Sequence, residues 1–319
     1  MSLDPQVADL LGRLDAGFPA VHTMTGAQAR AAIRARFVPP AEPEPVGDIS
    51  DQTIPGSAGF IPVRIYVPAH DFTRALPILV YAHGGGFVFC DLDSHDGLCR
   101  SLANMTQAVV ISVDYRLAPE HRWPAAAEDL YAAAQWAAEH AHEVGGDATR
   151  IAVGGDSAGG NLAAVAALMA RDRGTPILAA QLLLYPMTAA DADFDSDSYR
   201  RFGSGFYNPL PALRWYWDQY VPSAADRRHK YASPLNAELE GLPPAVVVIA
   251  GHDPLRDDGM AFADALAQAG VPVSCRHFEG GIHGFMTMPV LGIARQARQQ
   301  ACMDLASLLA PPRDSDPCR

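Results

Sequence analysis

Apolar positions along this chain switch between two spacings, and the switching predicts its architecture. In VRIYVP, Val63, Ile65 and Val67 recur at every second position, the period of a half-buried strand. Short, almost wholly apolar runs follow: PILVYA (Pro77 to Ala82), AVVISVDY (Ala108 to Tyr115), RIAVGG (Arg150 to Gly155), QLLLYP (Gln181 to Pro186) and AVVVIAG (Ala245 to Gly251). VPVSCRHF (Val271 to Phe278) closes the set. Strands apolar on both faces belong to a parallel sheet covered by helices. Between them lie Ala-rich stretches, Ala125 to Ala141 and Asn161 to Arg173, which favour helix because alanine loses no side-chain entropy. Alternating strand and helix predict a doubly wound α/β sheet.

Two segments depart from this rhythm. Near the start, Val7, Leu10, Leu11 and Leu14 share a helical face before the Pro-rich connector Pro39 to Pro45. From about Thr188 to Pro222 no strand is predicted, and Phe202, Phe206, Tyr207, Trp215, Tyr216, Trp217 and Tyr220 crowd together. A long insertion between core strands reads as a lid or as a helical pair packed on the core, and its aromatics can serve as both core and pocket wall.

Composition narrows the function classes. The chain has 319 residues, 49% of them hydrophobic, enough for a large core. A formal net charge of −12 without a basic stripe argues against a nucleic-acid partner and against adhesion to anionic lipid. No apolar stretch approaches the roughly 20 residues needed to span a bilayer, and the first residues lack the pattern of a secretory signal. The scattered Cys90, Cys99, Cys275, Cys302 and Cys318 fit free thiols in a reducing cytoplasm better than a disulfide framework or a zinc site.

The central chemical signal is Gly155-Asp156-Ser157-Ala158-Gly159, a G-x-S-x-G between the strand RIAVGG and a helix. A serine on a sharp strand-to-helix turn has its hydroxyl forced outward, and flanking glycines let neighbouring chain pass without a Cβ clash. The helix start beyond it offers free N–H groups to a developing oxyanion. His83-Gly84-Gly85-Gly86, directly after PILVYA, is of the HGGG type whose backbone supplies one half of an oxyanion hole; the other half is the N–H of Ala158. Alone, each motif also reads as a glycine-rich βα turn.

An acid and a base should follow the serine in that order. Asp253 lies just past AVVVIAG, at the carboxyl end of a strand; Asp257 and Asp258 compete with it, though the first turns of a helix favour acids on dipole grounds alone. His283 in GGIHGF is the candidate base, while His277, His252 and His121 read as structural. Asp191-x-Asp193-x-Asp195-x-Asp197 superficially resembles a calcium loop, but Ser196 and Phe202 occupy the positions needing glycine and glutamate, so it reads as a solvated acidic loop. No metal and no cofactor is expected.

Taken together, HGGGF (His83 to Phe87), DYRLAPEH (Asp114 to His121), GDSAGGNLA (Gly155 to Ala163), DPLRDDG (Asp253 to Gly259) and GIHGF (Gly281 to Phe285) resemble the hormone-sensitive-lipase-like esterases of the α/β-hydrolases, bacterial family IV, GDSAG subgroup. The resemblance spans roughly Pro62 to Leu309 in collinear order. It implies a mostly parallel sheet of about eight strands flanked by helices under a helical cap. The implied division is 1–45 and 188–222 as cap, 46–187 and 223–319 as core. It implies a serine carboxylesterase for short-chain acyl esters, with Ser157, Asp253 and His283 as triad and Gly85, Gly86 and Ala158 as oxyanion donors, Gly84 supporting. Phe87, Asp156, Phe206, Tyr207 and Trp215 are the expected substrate contacts. Members often dimerise, so a homodimer is allowed. The chain departs from the family at Cys90, commonly glycine, at His252, often aromatic, and at Asp258, usually glutamate. Amide, lactone or carbohydrate-acetate hydrolysis on the same triad stays open, as does a same-fold small-molecule receptor, although such receptors lose the histidine retained here as His283.

Overall fold

The computed structural model describes residues 2–69, 74–190 and 194–311. Among them, eight strands form one sheet: β1 (Asp48–Gly56), β2 (Gly59–Val67), β3 (Leu76–Ala82), β4 (Val109–Val113), β5 (Gly146–Asp156), β6 (Ala180–Leu184), β7 (Ala245–His252) and β8 (Val273–Ile282). Their order is β1-β2-β4-β3-β5-β6-β7-β8; β1 and β2 pair antiparallel, β2 and β4 antiparallel, and every pair from β4 to β8 is parallel. The nine α-helices of the described residues are α1 (Pro5–Gly17), α2 (Gly26–Arg34), α3 (Asp96–Thr106), α4 (Ala125–Glu139), α5 (Ala158–Arg173), α6 (Asp197–Phe202), α7 (Leu210–Tyr220), α8 (Arg256–Gln268) and α9 (Gly292–Leu308).

The continuous apolar runs have a direct physical reason. Along β3, Ile78, Val80 and Ala82 join the core on one face, while Leu79 and Tyr81 join a separate core on the other. Leu130 of α4, Leu162 of α5 and Phe262 of α8 cover the first face; Leu98 and Leu102 of α3 and Ala297 and Leu305 of α9 cover the second. A strand sandwiched this way can spare no polar position, and each fully buried Val, Leu or Ile contributes roughly 1.5–3 kcal/mol.

β1 escaped the periodicity argument. Only Ile54 of its nine residues is buried, and it forms a sheet edge, where Pro55 is tolerated and solvent-facing polar residues erase alternation. The described residues of the stretch 188–222 hold α6 and α7 and no strand, and its aromatics are mostly core: Phe202, Trp215, Tyr216, Trp217 and Tyr220 are buried. Between these segments the N-terminal chain is tied down by Arg30 of α2, whose guanidinium donates to the carbonyls of Val88 and Ala118, both at 3.0 Å, and pairs with Glu120.

Strand order reverses at β3, since the chain runs from β3 to β4 on one side and β5 lies on the other. Ligands of open α/β sheets sit at such a reversal, outside the carboxyl ends of the strands. The chemically loaded loops gather there: residues 83–86 follow β3, Ser157 follows β5, Asp253 follows β7 and His283 follows β8. No helix of the described residues is long and apolar enough to cross a membrane.

Candidate active site

Ser157 is the hinge between β5 and α5, with φ 55° and ψ −116°, a backbone conformation that L-residues adopt only under strain. Two glycines make that turn physically possible. A Cβ on Gly155 would meet Gly159 backbone at 2.3 Å, and a Cβ on Gly159 would meet the Ala82 carbonyl oxygen at 2.0 Å. Substitution at Gly159 therefore forces backbone against backbone. Gly159→Ala is expected to lose about 3 kcal/mol of stability, read as a lowered denaturant midpoint by circular dichroism. An unchanged midpoint would contradict this packing argument.

The turn aims the hydroxyl at an imidazole. Ser157 Oγ lies 2.9 Å from His283 Nε2, and His283 Nδ1 lies 2.7 Å from Asp253 Oδ2. With its proton on Nδ1, the ring donates to Asp253 and its free Nε2 accepts from the hydroxyl. Asp253 is fully buried and its other oxygen accepts from the Leu255 N–H at 2.8 Å, which pins the carboxylate. Tyr185 packs edge-on against the His283 ring, 5.1 Å between centroids, and limits its swing. The competing acids are engaged elsewhere: Asp257 with Arg256 and the Ser198 N–H, Asp258 with the Tyr199 hydroxyl. His252 is bonded to the Glu279 carbonyl and stacked on Phe206, His121 lies at the surface, and His277 is an exposed edge-strand residue.

Above the serine, Gly85 (φ 118°) and Gly86 (φ 57°) turn the post-β3 loop back on itself, with the Val88 and Phe89 N–H groups both donating to the Gly85 carbonyl. Among the described residues, the N–H groups of Gly85 and Gly86 donate to no protein acceptor, and both residues line a cavity of about 110 Å³ together with Ser157 and His283. Ala158 is buried at the first position of α5, beside the serine. Gly84 departs from its expected supporting place among the donors: its N–H is taken by Asp156 Oδ1 at 2.9 Å and is not free.

Asp156 borders the cavity but acts as a brace. Its carboxylate accepts from the Tyr81 hydroxyl at 2.8 Å and from Gly84, and faces His95 Nε2 at 3.3 Å. Burial pushes this carboxyl up, yet the facing His95 and the Tyr81 bond outweigh burial and hold it below the usual carboxylate range.

The expected substrate contacts need correction. Tyr207 lines the cavity, with its N–H on Asp15 Oδ1 and its ring edge-on to Phe18. Phe87, Phe206 and Trp215 do not. Phe87 is fully buried and stacks on Tyr220 at 3.9 Å, because the tight turn carries it away from the serine onto α7. Phe206 covers His252 and Phe202. On α7 one residue of helical rotation separates Trp215, packed in the core, from Tyr216, whose ring sits under Gly86. Phe18, Phe89, Asn208, Tyr216 and Thr287 line the cavity unforeseen, as do Cys90, His95 and Gly284. Phe89, two residues past Phe87 in the same motif, carried a local signal; Phe18 carried none, since its place depends on a contact nearly 190 residues distant in sequence.

Asp195 and Asp197 of the acidic run pair with Arg200, Arg201 and Arg256, while Asp191 and Asp193 lie outside the described residues. Cys90, Cys99, Cys275 and Cys302 are free thiols; Cys318 lies outside the described residues.

Comparison with known proteins gives a consistent picture. A family model described as the alpha/beta hydrolase fold matches residues 79–287. The carboxylic ester hydrolase LipN of Mycobacterium tuberculosis is 47% identical over 77% of this chain and 66% of its own length. The ethyl acetate hydrolase of Pseudomonas putida is 39% identical over 90% of this chain and 93% of its own. Among solved structures, the hyperthermophilic esterase of the archaeon Pyrobaculum calidifontis superposes with a TM-score of 0.88 at 40% identity, covering 97% of this chain and all (100%) of that one.

Proposed function

This chain belongs to the hormone-sensitive-lipase-like carboxylic ester hydrolases of the α/β-hydrolase family, and from that premise we propose that it cleaves short-chain acyl esters through an acyl-serine at Ser157. The observation that carries the reading is the unbroken relay Ser157 Oγ to His283 Nε2 to Asp253, closed at 2.9 and 2.7 Å beneath free Gly85 and Gly86 N–H groups.

In the proposed reaction, Ser157 Oγ bonds to the ester carbonyl carbon as its proton passes to His283 Nε2, and the carbonyl π pair moves onto oxygen. The N–H groups of Gly85, Gly86 and Ala158 take up that oxyanion. Asp253 stabilises the imidazolium without accepting its proton. Collapse of the intermediate breaks the bond to the alcohol oxygen, which leaves with the His283 proton. Water then repeats the sequence on the acyl-serine and releases the carboxylic acid. An intact relay favours hydrolysis over a receptor role, in which no imidazole is required.

Short acyl chains are favoured by the small cavity, about 110 Å³, and by the ethyl acetate hydrolase among the relatives. Hydrolysis of p-nitrophenyl esters from acetate to palmitate tests this. We expect kcat/KM to peak at six carbons or fewer, at roughly tenfold or more above laurate. A maximum at laurate or palmitate would end the short-chain reading. The segments 1–45 and 188–222 are proposed as the cap, meeting over the cavity at Phe18 and Tyr207. The scattered free thiols support a reducing, cytoplasmic setting, and a homodimer is proposed on family grounds.

A further inference from the structure

Behind one wall of the catalytic cavity lies a second, larger one. It measures about 250 Å³; Ala31, Ile33, Phe37, Cys90 and Leu117 give it apolar wall, and the rest of its lining is polar, with arginines from α2 and aspartates from the core. Cys90 lines both cavities.

The loop that carries Cys90 is firmly held. Ser94, which borders the second cavity beside Cys90, is held in a reciprocal turn with Asp91: its N–H donates to Asp91 Oδ1 at 2.9 Å, and its hydroxyl donates to the Asp91 carbonyl at 2.8 Å. Burial pushes the thiol up to about 12, so it stands there as a neutral, compact group and not as a nucleophile. The backbone at Cys90 has φ 70°, where glycine is at ease and a side chain is strained. The roof over the second cavity is also secured, by Arg30 on the Val88 and Ala118 carbonyls and by Arg34 on Asp91 at 2.9 Å.

Reaction geometry says which part of an ester faces this wall. The alcohol oxygen must reach His283 Nε2 to collect its proton, so the alcohol is committed to the side of His283, Gly284 and Thr287. The carbonyl oxygen is committed to the glycine N–H groups. The acyl substituent is left with the remaining walls. Tyr207 is backed by Phe18, Tyr216 is wedged under Gly86 and Asp156 is braced by Tyr81, whereas Cys90 also borders the second cavity.

Resting on the esterase reading above, we propose that Cys90 determines acyl-chain length by sealing the catalytic cavity from the cavity under α2, and that removing its side chain joins the two into one compartment for medium-chain acyl groups. The test compares wild type, Cys90→Gly and the double variant Ala31→Trp/Cys90→Gly on p-nitrophenyl butyrate and decanoate. Cys90→Gly relieves the strained φ, so its melting temperature should equal or exceed that of wild type. Its decanoate-to-butyrate ratio of kcat/KM should rise about tenfold or more. Ala31 is exposed on α2, so tryptophan there fills the second cavity without disturbing the core, and the double variant should return to the wild-type ratio. An unchanged ratio in a folded, butyrate-active Cys90→Gly overturns the partition while leaving the esterase reading intact. A gain that survives Ala31→Trp overturns it too, since the longer chain then lies elsewhere. Failure of wild type on every ester would instead remove the reading on which the proposal rests.

Discussion

Ser157→Ala is expected to lower kcat/KM for p-nitrophenyl butyrate by about 10⁵- to 10⁶-fold while leaving the thermal melt close to that of wild type. The Ser157 hydroxyl has a single side-chain bond, to His283, so its removal leaves no buried partner stranded apart from an imidazole still held by Asp253. Alanine at φ 55° suffers the same backbone strain as serine, so the turn between β5 and α5 has no reason to relax. What disappears is the bond-forming atom. A small residual rate should persist, because the donors at Gly85, Gly86 and Ala158 would still polarise a bound carbonyl toward water. A fluorophosphonate probe should label wild type at one site per chain and leave the variant unlabelled. Near-wild-type turnover, or labelling of the variant, would refute the nucleophile assignment.

The second large effect is expected at Asp253. Asp253→Asn should reduce kcat by about 10⁴-fold, because an amide can donate to His283 Nδ1 and so favour the tautomer whose proton sits on Nε2. That nitrogen could then no longer accept from the serine. The comparison that isolates the effect is Asp257→Asn, four residues along on α8. Asp257 bonds Arg256 and the Ser198 N–H, tying α8 to α6 without reaching the imidazole, and those bonds hold its carboxyl below the usual range against the opposing pull of burial. Its replacement should alter stability by about 1–2 kcal/mol and kcat by less than about threefold. Equal losses in the two variants, or the reverse ranking, would mean that the acid has been misassigned.

Much of this site could be read without coordinates, for a definable reason. A nucleophilic serine at a strand-to-helix turn requires small residues at fixed offsets, so Gly155, Ser157 and Gly159 announce themselves within five positions, and residues 83–86 do so within four. The relation of Asp253 to Asp257 and Asp258 was legible only in part: strand-end placement favoured Asp253, yet three carboxylates within six residues differ by which loop end meets the imidazole. The pocket wall was the weakest reading. An aromatic-rich segment shows that a hydrophobic surface is being covered, but a rotation of about 100° per helical residue decides whether Trp215 or Tyr216 faces the serine. Phe87 was misread for a similar reason, since a positive φ in the loop sends its ring onto Tyr220.

By itself, the order of residues determined the layered α/β architecture, because burial on both faces of the parallel strands leaves an apolar signature in every local window. It also singled out the serine proposed as nucleophile and the glycine loop beside it, whose signals are bound to short-range backbone geometry. Tertiary structure alone decided which acid meets the imidazole, which aromatics line the cavity, that Asp156 takes the Gly84 N–H as a brace, and that Cys90 borders two cavities. Those outcomes depend on where segments tens to hundreds of residues apart come to rest, and long-range packing leaves no periodic trace in the chain.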